Sequence, residues 1–248
     1  MRWLPVQYPY TVLMDGNSPL FDLSQLSFDE FVSFFFDHNV ETEGFWYQDP
    51  DLISSMDARG VSPRVIVRHM TRLFTDAAEV TSGFSSTQIN SAVWAMFSGG
   101  GFRLQKYLWL SSTPLAERLD CIHSMYFVYS EYVAKSTVEA MENCFSMWWD
   151  FVTSSFWEHL HFTDKIAEGD VLSLNDEHMA LLGAMFQTLS RILALSDSRA
   201  RESALHGLGH LHHPEVRNLV QGFLDKHRDE FPPEGILWVE QCRDGTVM

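Results

Sequence analysis

Apolar side chains return every three or four positions along most of this 248-residue chain, the spacing that gathers them on one face of an α-helix. Phe28, Phe31, Val32 and Phe35 do so after Ser27, which with Glu30 three positions on has the sequence of a capping box and predicts a helix to about His38. Ser62 followed by Pro63 predicts a helix to about Asp76, because proline at the first helical position gives up an N–H that has no partner there. Ile89, Ala92, Val93 and Met96 form another, starting at Thr87 and stopped by Gly99, Gly100 and Gly101. Thr113 and Pro114 repeat the start signal ahead of Leu115, Leu119, Ile122, Tyr126, Tyr129 and Val133. Met141, Phe145, Trp148, Val152 and Phe156 make the next stripe. After Asn175, a capping residue, the apolar positions Met179, Leu182, Met185, Phe186, Leu189 and Leu193 cover more than half the circumference, which predicts a central helix.

The remainder is less periodic. Residues 1–26, with Pro5, Pro9, Gly16 and Pro19, read as an irregular arm, and residues 39–48 as a connection rich in aromatics. The tail from Phe231 to Met248 reads as a helical turn or a strand. The expected fold is therefore all-α: one domain over 1–248, either a multi-helix bundle or a short α-solenoid-like array, with the bundle over 27–198, a helical hairpin over 199–228 and a tail over 229–248.

In that hairpin Ala204, Leu205, Leu208, Gly209 and Leu211 are followed by Pro214 and then by Val216, Leu219, Val220, Phe223 and Leu224. The segment resembles a HEAT-like helical repeat of the short kind known from phycobilin lyases, with an alanine- and leucine-bearing first helix, a proline turn and an amphipathic second helix. The resemblance covers about 30 of the 248 residues and a single copy. A repeat needs stacked neighbours to bury its apolar face, so one copy implies a bundle that ends in a repeat-like hairpin. The resemblance also implies an interaction role and brings no catalytic residues with it.

Charge narrows the partners. The formal net charge is −16, which argues against nucleic acid, since a phosphate backbone is held by a positive surface. The balance is uneven: residues 1–58 are net −9, 59–106 net +4, 107–198 net −9 and 199–248 net −2. Such a surface suits another protein, a basic one, as partner. No membrane span is expected, because the most apolar helix is interrupted by Gln187, Thr188, Ser190 and Arg191. Three cysteines, Cys121, Cys144 and Cys242, too few and too scattered for a disulfide framework or zinc knuckle, fit a reducing, cytoplasmic setting, with Cys121 and Cys144 as small buried hydrophobes.

Two clusters could carry chemistry. Glu202, His206 and His210 are spaced by four and share one helical stripe, where two imidazoles and a carboxylate can take a divalent metal ion; the competing reading is a solvated or partner-facing stripe. His159 and His161, two apart, diverge on a helix. Arg64, Arg68 and Arg72, also four apart, can grip an anion or a partner's carboxylates. In so acidic a chain the competing expectation is an internal charge ladder to the first acidic block. Ser98 to Gly101 follows a helix and lacks the Lys and Ser/Thr of a phosphate-binding loop, so it reads as a helix stop, and neither a G-x-S-x-G elbow nor an H-E-x-x-H pair is present. The dense aromatics at 34–36, 45–47 and 148–157 read as core, with a remainder free to line a partner groove. Two functional readings follow: a non-enzymatic, acidic interaction or inhibitor-like protein, and a metal-binding protein or metal-dependent enzyme built on the Glu/His stripe.

Overall fold

A computed structural model describes residues 22–49, 52, 61–136 and 144–247, and among them every regular element is helical. Most of the expected arm, and Met141 of the fifth stripe, lie outside the described residues.

Helix starts follow their capping chemistry. At α1 (Phe28–Phe36) the Ser27 hydroxyl accepts from the Glu30 N–H while the Glu30 carboxylate accepts from the Ser27 N–H, so two donors that a helix start leaves unpaired are satisfied together. The aromatic connection holds a short α2 (Val40–Glu43) and a 3-10 turn at Trp46–Gln48. Pro63 opens α3 (Pro63–Thr75), and α4 (Ala77–Val80) adds one further turn. A capping box that the stripe alone did not reveal, Ser85 with Gln88, opens α5 (Ser86–Phe97). This helix stops where expected: a Cβ on Gly101 would stand 2.2 Å from the Ala95 carbonyl oxygen, so only glycine lets the chain fold back for Phe102 N–H to donate to that oxygen at 2.7 Å.

α6 (Leu115–Phe127) runs into a π-helical turn over Val128–Tyr132. The buried positions of α6 are Arg118, Cys121, Ile122, Ser124 and Met125, continued in the turn by Val128 and Tyr129, so the inward face is rotated from the predicted stripe, leaving Leu115, Leu119 and Tyr126 half-buried. The Tyr129 hydroxyl donates to the Phe145 carbonyl at 2.8 Å and meets the Ser203 hydroxyl at 2.8 Å, which ties the wide turn to the helices beside it.

α7 (Cys144–Asp164) and α9 (Ser198–Leu211) form the centre. Adjacent residues on a helix point about 100° apart, yet Trp148 and Trp149 are both buried because α7 is covered on two sides. Trp148 packs on Phe74 and Phe97 from α3 and α5. Trp149 lies under α9 at Gly207, where a Cβ would come within 2.4 Å of the Trp149 Cβ. Each such ring removed from water contributes roughly 1.5–3 kcal/mol. The helix predicted to be central, α8 (Asp176–Leu193, capped by Asn175), lies instead between α6 and α9, with Gln187 and Arg191 exposed. α10 (Val216–His227) and α11 (Pro233–Asp244) close the chain; the tail is thus a three-turn helix that packs on both α9 and α10. One connected core runs from Leu23 to Val247. Among the described residues no helix is long and apolar enough to cross a membrane.

Candidate functional site

The arginine ladder on α3 has its acid inside the molecule. Arg64 donates through Nε to the two carboxylate oxygens of Glu117 at 2.9 and 3.0 Å, and Arg68 donates through Nε to Oε2 of the same carboxylate at 3.0 Å. The internal reading therefore stands with one correction: the acid belongs to the second acidic block, on α6, because α3 packs on α6. The two guanidinium groups hold the Glu117 carboxyl down at about 2. Arg72 is placed differently, over the Phe28 ring at 3.9 Å and 3.9 Å from Asp76. The three arginines thus do not share one acid: Arg64 and Arg68 meet on Glu117, and Arg72 stands apart. The groove of about 430 Å³ beside them is lined by Arg68 and Arg72 but also by Asp76, Glu117 and Asp120, so its charge does not favour an anion.

The histidine stripe on α9 is brought together in part. His206 and His210 face each other with Nε2 to Nε2 at 3.1 Å, and His206 Nδ1 donates to the Ser146 carbonyl on α7 at 3.2 Å. Glu202 sits one turn earlier in solvent, and among the described residues no three His, Cys, Asp or Glu side chains stand ready as a metal site. The carboxylate that approaches is Asp150 of α7, 3.9 Å from His210 Nε2. Burial holds the His210 ring below its usual range, against the pull of Asp150. Beside this pair His212, in the left-handed conformation at the end of α9, meets Glu168 at 3.2 Å. A carboxylate set within the Trp148 to Phe151 aromatic run is the signal that marks Asp150 in the sequence.

A third cluster escaped the sequence reading. Arg118 is 1% exposed and donates through Nη2 to Glu177 at 2.7 Å, joining α6 to the start of α8, while its Nε and Nη1 have no protein partner. This is a structural tie between the two helices. Burial pushes the Cys121 and Cys242 thiols up to about 12, which keeps these two protonated and poorly nucleophilic. An apolar gap of about 20 Å³ between Phe36, Phe74, Met96 and Trp148 is the size of one water, too small for a substrate.

The α1–α2 tip differs from all of these. Residues 22–49 carry seven acidic side chains and neither Lys nor Arg, and Asp29, Asp37 and Glu41 are exposed. At its end Phe45 stands 72% exposed. The tip is held by His38, whose buried ring stacks on Trp46 at 3.6 Å and bridges Glu43 at 2.6 Å and the Phe34 carbonyl at 2.9 Å. The sequence grouped Phe45 with Trp46 and Tyr47; the latter two are buried and only Phe45 faces out. Comparison with known proteins returned no matching family, no matching curated protein and no matching solved structure.

Proposed function

We propose that this protein is a non-enzymatic interaction module whose α1–α2 tip docks a basic segment of another protein. The observation that carries the reading is a cation-free stretch, residues 22–49, that exposes Asp29, Asp37, Glu41 and an outward Phe45. Charge of one sign speeds and orients the encounter, and a single desolvated aromatic supplies the anchor. Support comes also from the cations, many of which are spent internally: Arg64 and Arg68 on Glu117, Arg118 on Glu177, Arg199 on Asp197 and Arg201 on Glu230. A HEAT-like character of the α9–α10 hairpin, and a reducing cytoplasmic setting for the three buried free cysteines, belong to the same proposal.

The test is affinity capture from the source cell with the wild-type chain and with a variant carrying Asp29→Lys, Asp37→Lys, Glu41→Lys and Phe45→Ala. The expected result is a basic partner retained by the wild type at low salt, released as salt rises, and lost with the variant. Equal capture by both chains would remove the tip from the account.

A further inference from the structure

We infer that Lys106 is a covalent modification site, an amine placed to take an acyl group from a thioester. The inference does not depend on the acidic tip.

The placement begins with the backbone. Lys106 lies in the 3-10 segment Leu104–Trp109, where Leu104, Gln105, Tyr107, Leu108 and Trp109 are all buried and Lys106 alone is exposed. The core thus anchors its backbone on both sides while the side chain is left open to a reagent. Arg103, in the left-handed conformation just ahead of the segment, is held by an ion pair to Glu158 of α7. This guanidinium, of the same sign, is the charged group that acts on Lys106. The Tyr107 ring centre lies 5.1 Å from Nζ, and among the described residues no carboxylate pairs with the ammonium.

The other lysines of the chain, Lys135, Lys165 and Lys226, are placed in the opposite way. Lys135 pairs with Glu131, Lys165 donates to the Phe162 carbonyl at 3.0 Å, and Lys226 acts on the Glu230 carboxylate. Each of those partners favours the ammonium. At Lys106 the crowding of protein atoms and then the Arg103 guanidinium favour the neutral amine, and its proton affinity falls below the usual lysine range. A lysine short of water and beside a second cation is the arrangement that activates an amine as a nucleophile. Lower proton affinity costs some intrinsic nucleophilicity, but near neutral pH the larger neutral fraction outweighs that loss, as it does for thiols.

The step balances within its two reactants. The Nζ lone pair adds to the thioester carbonyl carbon and a C–N bond forms. The C–S bond breaks with its electron pair leaving on the thiolate, and the extra proton on nitrogen passes to solvent. A thioester bears no charge at its reacting carbon, so the net charge of −16 does not keep it away. The product is a neutral amide, which removes the repulsion with Arg103 and reduces the positive balance of residues 59–106.

The test treats the purified full chain with a limiting amount of a small neutral thioester, S-acetyl-N-acetylcysteamine, alongside a sample unfolded in urea. Peptide mass spectrometry follows acetylation at each lysine. In the folded chain near neutral pH, Lys106 should be acetylated about threefold faster or more than Lys135, Lys165 or Lys226, and its rate should level off at a lower pH than theirs. In urea the rates should converge, because the preference comes from the fold. Equal or slower acetylation of Lys106 in the folded chain, a pH profile coincident with the other lysines, or a preference that survives unfolding would overturn the site.

Discussion

Glu117 shows how a single side chain sets the local electrostatics. Its carboxyl titrates at about 2 in the folded chain, against an ordinary 4.5, because Arg64 and Arg68 both donate to it. A depressed folded value means that the unfolded chain takes the proton first, so the stabilisation is complete above about pH 4.5 and is lost as pH falls toward about 2. Glu117→Gln is therefore expected to be less stable than the wild type at neutral pH, with the gap in urea midpoint closing across that acid window. Arg64 and Arg68 are half-exposed, at 48% and 59%, so the gap should also shrink in high salt. A gap that stays constant down to about pH 2 would show that the fork is not the source.

The helices owe their positions to caps and to close contacts that small residues allow. Gly207 lets α9 lie on Trp149, so Gly207→Ala should destabilise by about 1–3 kcal/mol despite its better helix propensity. Gly222, on the exposed face of α10, has open space where a methyl group would stand, with nothing within 4 Å, and Gly222→Ala should stabilise by roughly 0.5–1 kcal/mol. Asn175→Ala removes the side-chain bond to the His178 N–H and should cost about 1 kcal/mol. Denaturant midpoints of the three variants measure all of these. The starts that such caps produce were legible: Ser27, Pro63 and Asn175 open helices where the sequence placed them. The Ser85 box was not, because neither Ser85 nor Ser86 lies on the apolar stripe that begins at Ile89. The π turn and the α11 helix were also hidden, since both depend on what the neighbouring helices present. The site divides in the same way. His206 and His210 lie one turn apart, so spacing finds them, whereas Asp150 lies on another helix and Glu117 stands 49 and 53 positions from the arginines it neutralises. Such pairs are made by packing, which local periodicity does not encode.

At the scale of the whole molecule, an acidic chain with a net charge of −16 sets several of its cations against its own acids and leaves outside a tip, residues 22–49, that carries no Lys or Arg of its own, although Arg72 lies over the Phe28 ring at its base. His38 ties the tip together beside the outward Phe45, stacked on Trp46 and bridging Glu43 and the Phe34 carbonyl. Affinity for a basic partner should therefore fall steadily with ionic strength, steeply while the exposed acids dominate and then levelling once the Phe45 contact is what remains. The central claim, that this tip is the docking surface, is tested most directly by a photo-reactive amino acid in place of Phe45 in the source cell, with a second chain labelled at exposed Leu237 as the reference. The account predicts a discrete adduct from position 45 to a basic segment of a partner, abolished by Asp29→Lys, Asp37→Lys and Glu41→Lys. An adduct from position 237 with none from 45, or one from 45 that survives the three charge reversals, would contradict it.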